Sequence, residues 1–403
     1  MQRGLVGAVN ALTARWLEHA GAEAKVVSGI GVWALLAFIA EPAGGEGRAE
    51  LAAALGIEAD GAMDAACEVI AAVDGCAAVQ LATGLWLQRD LTVHDAWAGR
   101  LPEGTRGQIA GEPDADGVVL DAWASEHTGG RIKRFPLRTS TDTRLVLASA
   151  LLVETQWVHP FTEMPTRLAD GPWAGDRVVR HLTRCTTELD EVRVVATGCG
   201  PLTDMTVAGG GGIDVHLVLA DEHVAPGQVL AAGAKAVTAD GGVRGDAFTE
   251  ARPGPGISVQ RSRAYVQQDE LCLSTVGFAL DAEHDLLEAA GVFGLRTACD
   301  VTRGHFPGIA DEPLAAGAAH QSIIARFNAR GFEAAAVTGF GVAAGGMPPE
   351  QTCEIRLVSV TFTRPFAFYA VHRATGLILV AGWVAQPAVR DSSSAGPGGI
   401  EVY

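Results

Sequence analysis

The sequence predicts a single α+β domain built around a large sheet, because helical and strand patterns alternate along the chain. Apolar residues recur at helical spacing over 3–20, 28–40, 47–55 and 62–73. Two nearly continuous apolar runs, at 78–88 and 143–154, predict buried strands. No Pro/Ser-rich linker occurs before residue 390, so we expect one domain over 1–390 and a C-terminal tail over 391–403.

The remaining elements are predicted from shorter patterns. Helices are expected near 91–100, 118–127 and 280–291, and hairpin strands at 192–196 and 214–219. Four glycines at 209–212 lie between two strands and begin no helix, so they predict a turn and not a phosphate site. The large sheet should contain strands near 80–88, 145–154 and 320–328, with the helices packed on one side.

Composition narrows the class of partner. Lys and Arg number 30 and Asp and Glu number 47, which gives a net charge of −17 and argues against binding to nucleic acid. The first helix is amphipathic and the most apolar stretch, 26–40, is too short to span a bilayer. We therefore expect a cytoplasmic monomer with no signal peptide and no membrane contact.

The seven cysteines are predicted to be reduced thiols, because their number is odd and no Cys-x-x-Cys motif occurs. His181 and Cys185 are four residues apart, but a metal site needs more ligands at close spacing. No Gly-x-Ser-x-Gly nucleophile motif is present either. No catalytic residue, metal or cofactor is predicted.

Residues 331–349 have the most unusual composition in the chain. They are small or apolar, and Glu333 carries their only charge. At period two, one face holds Phe332, Ala334, Ala336 and Thr338, and the other face is made of small residues. The segment 332–349, which we call the bait segment, is therefore predicted to be able to form either a loop or a strand.

The sequence that follows the bait segment resembles the C-terminal signature of the serpins, the serine protease inhibitor superfamily. The signature residues are Arg364-Pro365-Phe366, a Thr375-Gly376 hairpin turn, and the run from Gly382 to Pro387. Further similarities, in the family's order, cover about 370 residues: Val27 to Val32, Gly44 to Leu51, Leu120 to Trp123, Thr128 to Ile132, Leu147 to Leu151 with Trp157 and Pro160-Phe161, and Phe306 to Ile309.

The resemblance implies a serpin fold with a large central sheet, additional sheets, about eight to nine helices and an exposed reactive-centre loop. It also implies inhibition by suicide cleavage, in which a serine protease cuts the loop and the loop then inserts into the central sheet. Counting fourteen residues from Gly331 places the cut at Gly345–Gly346, with Ala344–Gly345 and Met347–Pro348 as alternatives. This small bait suits an elastase-like or subtilisin-like protease.

The resemblance also assigns a hinge and a sheet-opening region. The hinge residues are Gly331, Phe332, Glu333, Ala334, Ala335, Ala336 and Thr338, and the sheet-opening residues are Ser28, Ser149, Trp157 and Gln321.

Several of these positions depart from the family pattern. Phe332 replaces a hydroxyl residue, so we expect its ring to slow insertion through overpacking. Ala329 replaces the usual hinge Glu, Gly31 replaces a serine, and His320 lies one residue off the family register. Two alternatives to an inhibitor therefore stay open: a non-inhibitory binding protein, or a cytoplasmic biosynthetic enzyme on the same scaffold.

Overall fold

The computed structural model describes residues 1–23, 25–135, 139–332 and 353–389. Within these residues the chain forms eight α-helices: α1 Arg3–Ala20, α2 Gly29–Ala40, α3 Gly45–Leu55, α4 Ala62–Asp74, α5 Asp95–Ala98, α6 Pro113–His127, α7 Pro226–Thr238 and α8 Ala290–Phe293. The described strands are β1 Val26–Val27, β2 Val79–Gln88, β3 Arg106–Ile109, β4 Leu145–Val153, β5 Thr155–Gln156, β6 Thr162–Arg167, β7 Val178–Thr186, β8 Val192–Thr197, β9 Gly200–Ala208, β10 Ile213–Leu219, β11 Val243–Arg244, β12 Ile257–Ala264, β13 Glu270–Val276, β14 Phe278–Asp285, β15 Ala318–Phe327, β16 Gly331–Phe332, β17 Cys353–Thr361, β18 Phe366–His372 and β19 Leu377–Val384.

These strands form three sheets. The central sheet has the order β3-β2-β4-β15-β16-β5, and β14 also pairs with β15. A second sheet, which we call the core sheet, has the order β1-β19-β18-β10-β9-β8-β11. The small sheet has the order β12-β17-β13-β7-β6. The predicted α+β architecture with a large central sheet is confirmed.

Helix α2 forms the centre of the molecule, since all of its residues from Gly29 to Ala40 are buried. It packs on β2, β4 and β19 and so joins the central sheet to the core sheet. A helix that is apolar on every side is stable in water only when other elements surround it.

Strand β4 packs against helices on both of its faces. Leu147 and Leu151 belong to the main core, in which α2 lies. Val146 and Ala148 point to the opposite face, where they form a smaller cluster with Trp123 of α6. The expectation that all helices lie on one side of the sheet is therefore wrong, because the nearly continuous apolar run of β4 needs cover on both faces.

Two predicted helices also differ from the structure. Residues 278–285 form β14 where a helix was expected near 280–291, and only Ala290–Phe293 is helical there. Phe278, Leu280 and Ala282 alternate with exposed residues, which is a strand pattern, although Glu, Leu and Ala favour helices. The helix expected at 91–100 is reduced to Asp95–Ala98.

The prediction of reduced thiols is wrong for two cysteines. Cys185 of β7 and Cys272 of β13 lie opposite each other in the small sheet and form a disulfide. They are 87 residues apart in the chain, so no spacing rule could pair them. The other five cysteines, at positions 67, 76, 199, 299 and 353, are free.

Candidate functional site

The site predicted from the sequence lies where β4 meets β15, an interface that we call the β4–β15 junction. The two strands run parallel and pair directly from Val146 with Ala318 to Leu151 with Ile323. Beyond these pairs the strands diverge. β16 lies between them there, antiparallel to β15 through Phe327 and Phe332, and antiparallel to β5 through Thr155 and Phe332.

A buried polar cluster spans the middle of the β4–β15 junction. The amide nitrogen of Gln321 donates to Ser149 Oγ at 3.0 Å and to the Ser28 carbonyl at 2.8 Å. The Gln321 amide oxygen accepts from the Ser28 backbone nitrogen at 2.9 Å. One side chain therefore connects β15 to β4 and to the N-terminal end of α2. Gln321 and Ser149 are also direct register partners.

This cluster, the Gln321 cluster, contains one unsatisfied group. Ser28 Oγ is fully buried and has no hydrogen-bond partner among the described residues. A buried hydroxyl without a partner costs about 1–3 kcal/mol, so it favours any conformation that supplies one.

The glycine at position 31 is explained by the same packing. A Cβ atom at Gly31 would lie 2.9 Å from Ser149 Cβ and 3.2 Å from Ser149 Oγ. A serine at this position would force Ser149 to move and disturb its bond with Gln321. The departure from the family pattern at residue 31 is thus matched to the side chains on β4 and β15.

The other end of the β4–β15 junction is held by backbone and aromatic contacts. Trp157 Nε1 donates to the Asn328 carbonyl at 2.8 Å, and its backbone nitrogen donates to the Arg330 carbonyl at 2.9 Å. The backbone nitrogen of Phe161 donates to the Ala329 carbonyl at 2.8 Å. The turn that leads from β15 to β16 is therefore fixed by the segment 157–161.

Phe332 is 1% exposed, and its ring centroid lies 6.1 Å from that of Phe368 in the core sheet. The ring therefore already occupies a core position at the start of the bait segment. The expectation that this ring slows insertion through overpacking stays a prediction, because the rest of the bait segment lies outside the described residues.

A buried ion pair supports the segment 157–161. Arg184 donates to Glu191 at 2.9 Å and to the His159 carbonyl at 3.2 Å, and its guanidinium lies 5.2 Å from the centre of the Phe161 ring. Burial lowers the pKa of Arg184, and the nearby Glu191 carboxylate partly opposes this. Burial raises the pKa of Glu191, and Arg184 partly opposes it. Sequence reasoning missed this pair, because its members are seven residues apart and meet only through the turn that follows β7.

The predicted site residues are thus divided into three groups. Ser28, Ser149 and Gln321 meet in the Gln321 cluster, whereas Trp157 lies at the diverging end beside Gly331 and Phe332. The other hinge and bait residues lie outside the described residues: Glu333, Ala334, Ala335, Ala336, Thr338, Ala344, Gly345, Gly346 and Met347.

The described part of the chain offers little sign of another kind of site. It contains no group of three or more His, Cys, Asp or Glu side chains placed to hold a metal. One open cavity of about 710 Å³ between α1, α3 and α8 is lined by Arg15, His19, Glu50, Glu288 and Arg296, without a serine or cysteine. Of the described helices, none has the length and apolar character to cross a membrane.

Three sheets around a buried helix, with a chain that leaves the central sheet after Phe332 and enters the small sheet at β17, define an α+β fold. A sequence model of the family Serpin (serine protease inhibitor) matches residues 10–170 and 260–387, more than half of the chain. The protein belongs to the serpin family.

Individual relatives agree with this assignment. A protein from Cyanea capillata described as a serine protease inhibitor is 23% identical over 389 residues, which cover 91% of this chain and 94% of that protein.

Solved structures show the same fold at lower identity. Serpin48, described as a highly specific serpin in the insect Tenebrio molitor, is 18% identical with a TM-score of 0.70, and the match covers 96% of this chain and 99% of that one. Human thyroxine-binding globulin complexed with thyroxine is 15% identical with a TM-score of 0.70, and the match covers 96% of this chain and 99% of that one.

Proposed function

We propose that this serpin inhibits a serine protease by cleavage of the bait segment at Gly345–Gly346 and insertion of its upstream half into the β4–β15 junction. Ala344–Gly345 and Met347–Pro348 are the alternative bonds, and the target is an elastase-like or subtilisin-like protease. The observation that carries the proposal is β16, whose two residues already lie between β5 and β15, antiparallel to both.

The register of β16 supports insertion at a defined position. In an antiparallel pair, each next residue of the inserted strand lies opposite the residue one position earlier in the neighbouring strand. Thr338 is six residues after Phe332, Gln321 is six before Phe327, and Ser149 is six before Thr155. Counting along either neighbouring strand therefore leads to the same register, in which Thr338 would lie between Gln321 and Ser149.

The side chains support the same register. Phe332 faces the core, so Ala334, Ala336 and Thr338 would face it too at the period of a strand. Insertion would move β4 and β15 from one strand spacing to two, about 4.8 to 9.6 Å, and would break the Gln321–Ser149 bond. The Thr338 hydroxyl, the first in the bait segment, would then replace this bond and could reach Ser28 Oγ.

The chemistry follows from the protease. Its serine Oγ attacks the Gly345 carbonyl, and the Gly346 amine leaves as a new N-terminus, so that Gly345 becomes the acyl group of an ester. The upstream half is then attached only through Phe332 and can extend β16. Each added residue pairs with two strands, and the attached protease moves along with it.

The proposal is tested by incubation with elastase and with subtilisin, followed by a denaturing gel. We expect a band at the summed mass of the protease and the chain up to Gly345, since the fragment from Gly346 onward is released, and this band should survive denaturation as an ester bond does. A protease whose active serine has been blocked beforehand is the matched control and should give no such band. If both active proteases yield only the cut chain, the protein is a substrate, and the open alternatives of binding protein or enzyme take precedence.

The cytoplasmic location remains a prediction. Disulfides form and persist in oxidising compartments, so the Cys185–Cys272 bond weighs against it. Cell fractionation with alkylation of free thiols would decide, because a reduced pair would be labelled at both positions.

A further inference from the structure

A cavity between α1, α3 and the segment 287–296 lies apart from the site described above. Its volume is about 710 Å³, which is within the usual range for pockets that hold small molecules. It is lined by none of the Gln321 cluster residues and by none of the described hinge residues, so the proposed inhibition does not use it. We call it the Arg296 cavity, after a residue of its lining.

The walls of the Arg296 cavity are fixed to one another. Glu50 of α3 accepts from the Thr297 backbone nitrogen at 3.0 Å and from Thr297 Oγ1 at 2.9 Å. Gly294 has a φ of +67°, and a Cβ atom there would lie 2.4 Å from the Glu50 carbonyl oxygen, so only glycine permits this approach. Trp16 of α1 packs edge-to-face on Phe293 of α8, with 5.1 Å between the ring centroids. The cavity is therefore preformed, as ligand sites usually are.

Two guanidinium groups line the Arg296 cavity. Arg15 of α1 donates to the Ala54 carbonyl near the end of α3, which occupies one of its nitrogens. Arg296 has neither a hydrogen-bond partner nor an ion-pair partner within the part of the chain that the structure describes. Its guanidinium lies across the Gly291 backbone, where a Cβ atom would be 2.6 to 2.9 Å from its atoms. Glycine at position 291 therefore leaves room for this unpaired charge beside the cavity.

Two carboxylates, those of Glu50 and Glu288, also line the Arg296 cavity. Both oxygens of Glu50 are bonded to Thr297, and Glu288 is exposed and also lines a second cavity beside β14. The groups with free hydrogen-bonding capacity are thus mainly donors, to which the exposed His19 adds its ring. In a chain of net charge −17, such a group of donors favours a negatively charged ligand. Because two carboxylates balance two guanidiniums, one negative charge fits better than several.

Apolar side chains form the rest of the lining. Leu287, Ala289, Ala290 and Val292 are half-buried and pack on the main core, and their remaining surface faces the cavity. An apolar group placed against them would remove this surface from water. The lining contains no hydroxyl or thiol nucleophile, so it offers binding without a reaction.

We propose that the Arg296 cavity binds a small organic monoanion, namely a carboxylate on an apolar body. The guanidiniums of Arg296 and Arg15 bind the carboxylate, and the apolar wall covers the body. A guanidinium and a carboxylate form charge-assisted hydrogen bonds, which are stronger than neutral ones. The site is separate from the bait segment, so binding does not depend on the proposed inhibition.

The probe is octanoate, and its binding to the uncut protein is measured by isothermal titration calorimetry. We expect one site per chain. Octanamide has the same apolar body without the charge, and pyrophosphate has the charge without the body, so each should bind at least about tenfold more weakly. Absence of octanoate binding would overturn the proposal, and so would equal affinity for octanamide or pyrophosphate.

Three variants locate the bound octanoate. Arg296→Gln removes the charge of an exposed side chain and should weaken binding at least about tenfold. Gly291→Ala keeps the charge but places a Cβ where the guanidinium lies, so it should displace Arg296 and also weaken binding. The matched control is Lys235→Gln, which removes an exposed cation from a separate cavity between α1 and α7 and should leave the affinity unchanged.

These side chains are exposed, so all three variants should melt near the temperature of the native chain. Unchanged affinity in Arg296→Gln, or an equal loss in Lys235→Gln, would overturn the proposal by placing the anion elsewhere. Since no protease takes part, a failure of the proposed inhibition would leave this result intact.

Discussion

The two ends of the β4–β15 junction are held together in different ways. Between Val146 and Leu151 the strands pair directly, and Gln321 bonds across them to Ser149. Beyond Leu151 they are separated by β16, and the contacts are those of Phe332 and Trp157. The diverging end therefore already resembles a sheet with a strand inserted. The paired end must lose the Gln321–Ser149 hydrogen bond before a strand can enter.

The difference shows how a cut could be converted into movement. Extending β16 replaces the pairing between β4 and β15 with pairing on both edges of a new strand. Each residue added to β16 therefore has backbone hydrogen-bond partners on both sides. The Gln321 cluster is the first point at which a bond between side chains opposes this extension.

The largest effect is expected for Ala334→Arg. In the register of β16, residue 334 would lie between Ala325 and Val153, which are almost fully buried. A buried unpaired guanidinium costs several kcal/mol, so insertion and any covalent complex should be abolished. The readout is the yield of denaturation-resistant complex.

The matched control is Ala335→Arg, whose side chain would point to the opposite face beside the half-buried Ile324. Its yield should fall much less. Equal loss in both variants would mean that the register of β16 does not continue into the bait segment.

Phe332→Thr sharpens the contrast at the diverging end. The ring is buried in the core before any cleavage, so its loss should leave a cavity costing about 3 kcal/mol in the intact form and in the cleaved form alike. Both melting temperatures should fall together, with little change in the rate of insertion. A clear acceleration of insertion would instead restore the expectation from the sequence that the ring is a barrier.

Ser149→Ala tests the paired end. It removes the side-chain bond across the junction, which contributes about 1 kcal/mol, and should speed insertion by up to about fivefold. Ser28→Ala is the comparison: because Ser28 Oγ has no partner in the described structure, its removal should stabilise the intact form, keep the Gln321–Ser149 bond and not speed insertion. Stopped-flow measurement of complex formation with each variant would separate them.

The smallest effect is expected for Thr338→Val. It should lower the stability of the cleaved form by about 1 kcal/mol and leave the intact form unaffected, because the hydroxyl is needed only beside Gln321 and Ser28. Thr338→Ser should restore the loss. Denaturant unfolding of cleaved and intact proteins provides the measurement, and a loss in the intact form would contradict the assigned register.

The sequence predicted the parts of this site that depend on local pattern or on family resemblance. The long helices and β4 follow from periodicity, and the resemblance groups Ser28, Ser149 and Gln321, which hydrogen bonds join in the structure. Their joint function in opening the sheet stays a prediction.

Features that depend on strand neighbours could not be predicted. Pairing Cys185 with Cys272 requires knowledge of which strands are adjacent. The Arg184–Glu191 pair requires knowledge of how the chain turns after β7. The burial of Phe332 depends on the divergence of β4 and β15, which no residue in its own neighbourhood indicates. β14 was misassigned because helix-forming residues occupy a strand whose pairing with β15 decides its conformation.

The central claim is that the cut bait segment becomes a strand between β4 and β15. Its most direct test is thermal unfolding of intact protein and of protein cut within 344–347 by a protease that is then removed. A strand paired on both edges and buried on one face should raise the melting temperature of the cut form by more than about 10 °C. A cut form that melts at or below the temperature of the intact form would show that the segment does not enter the sheet.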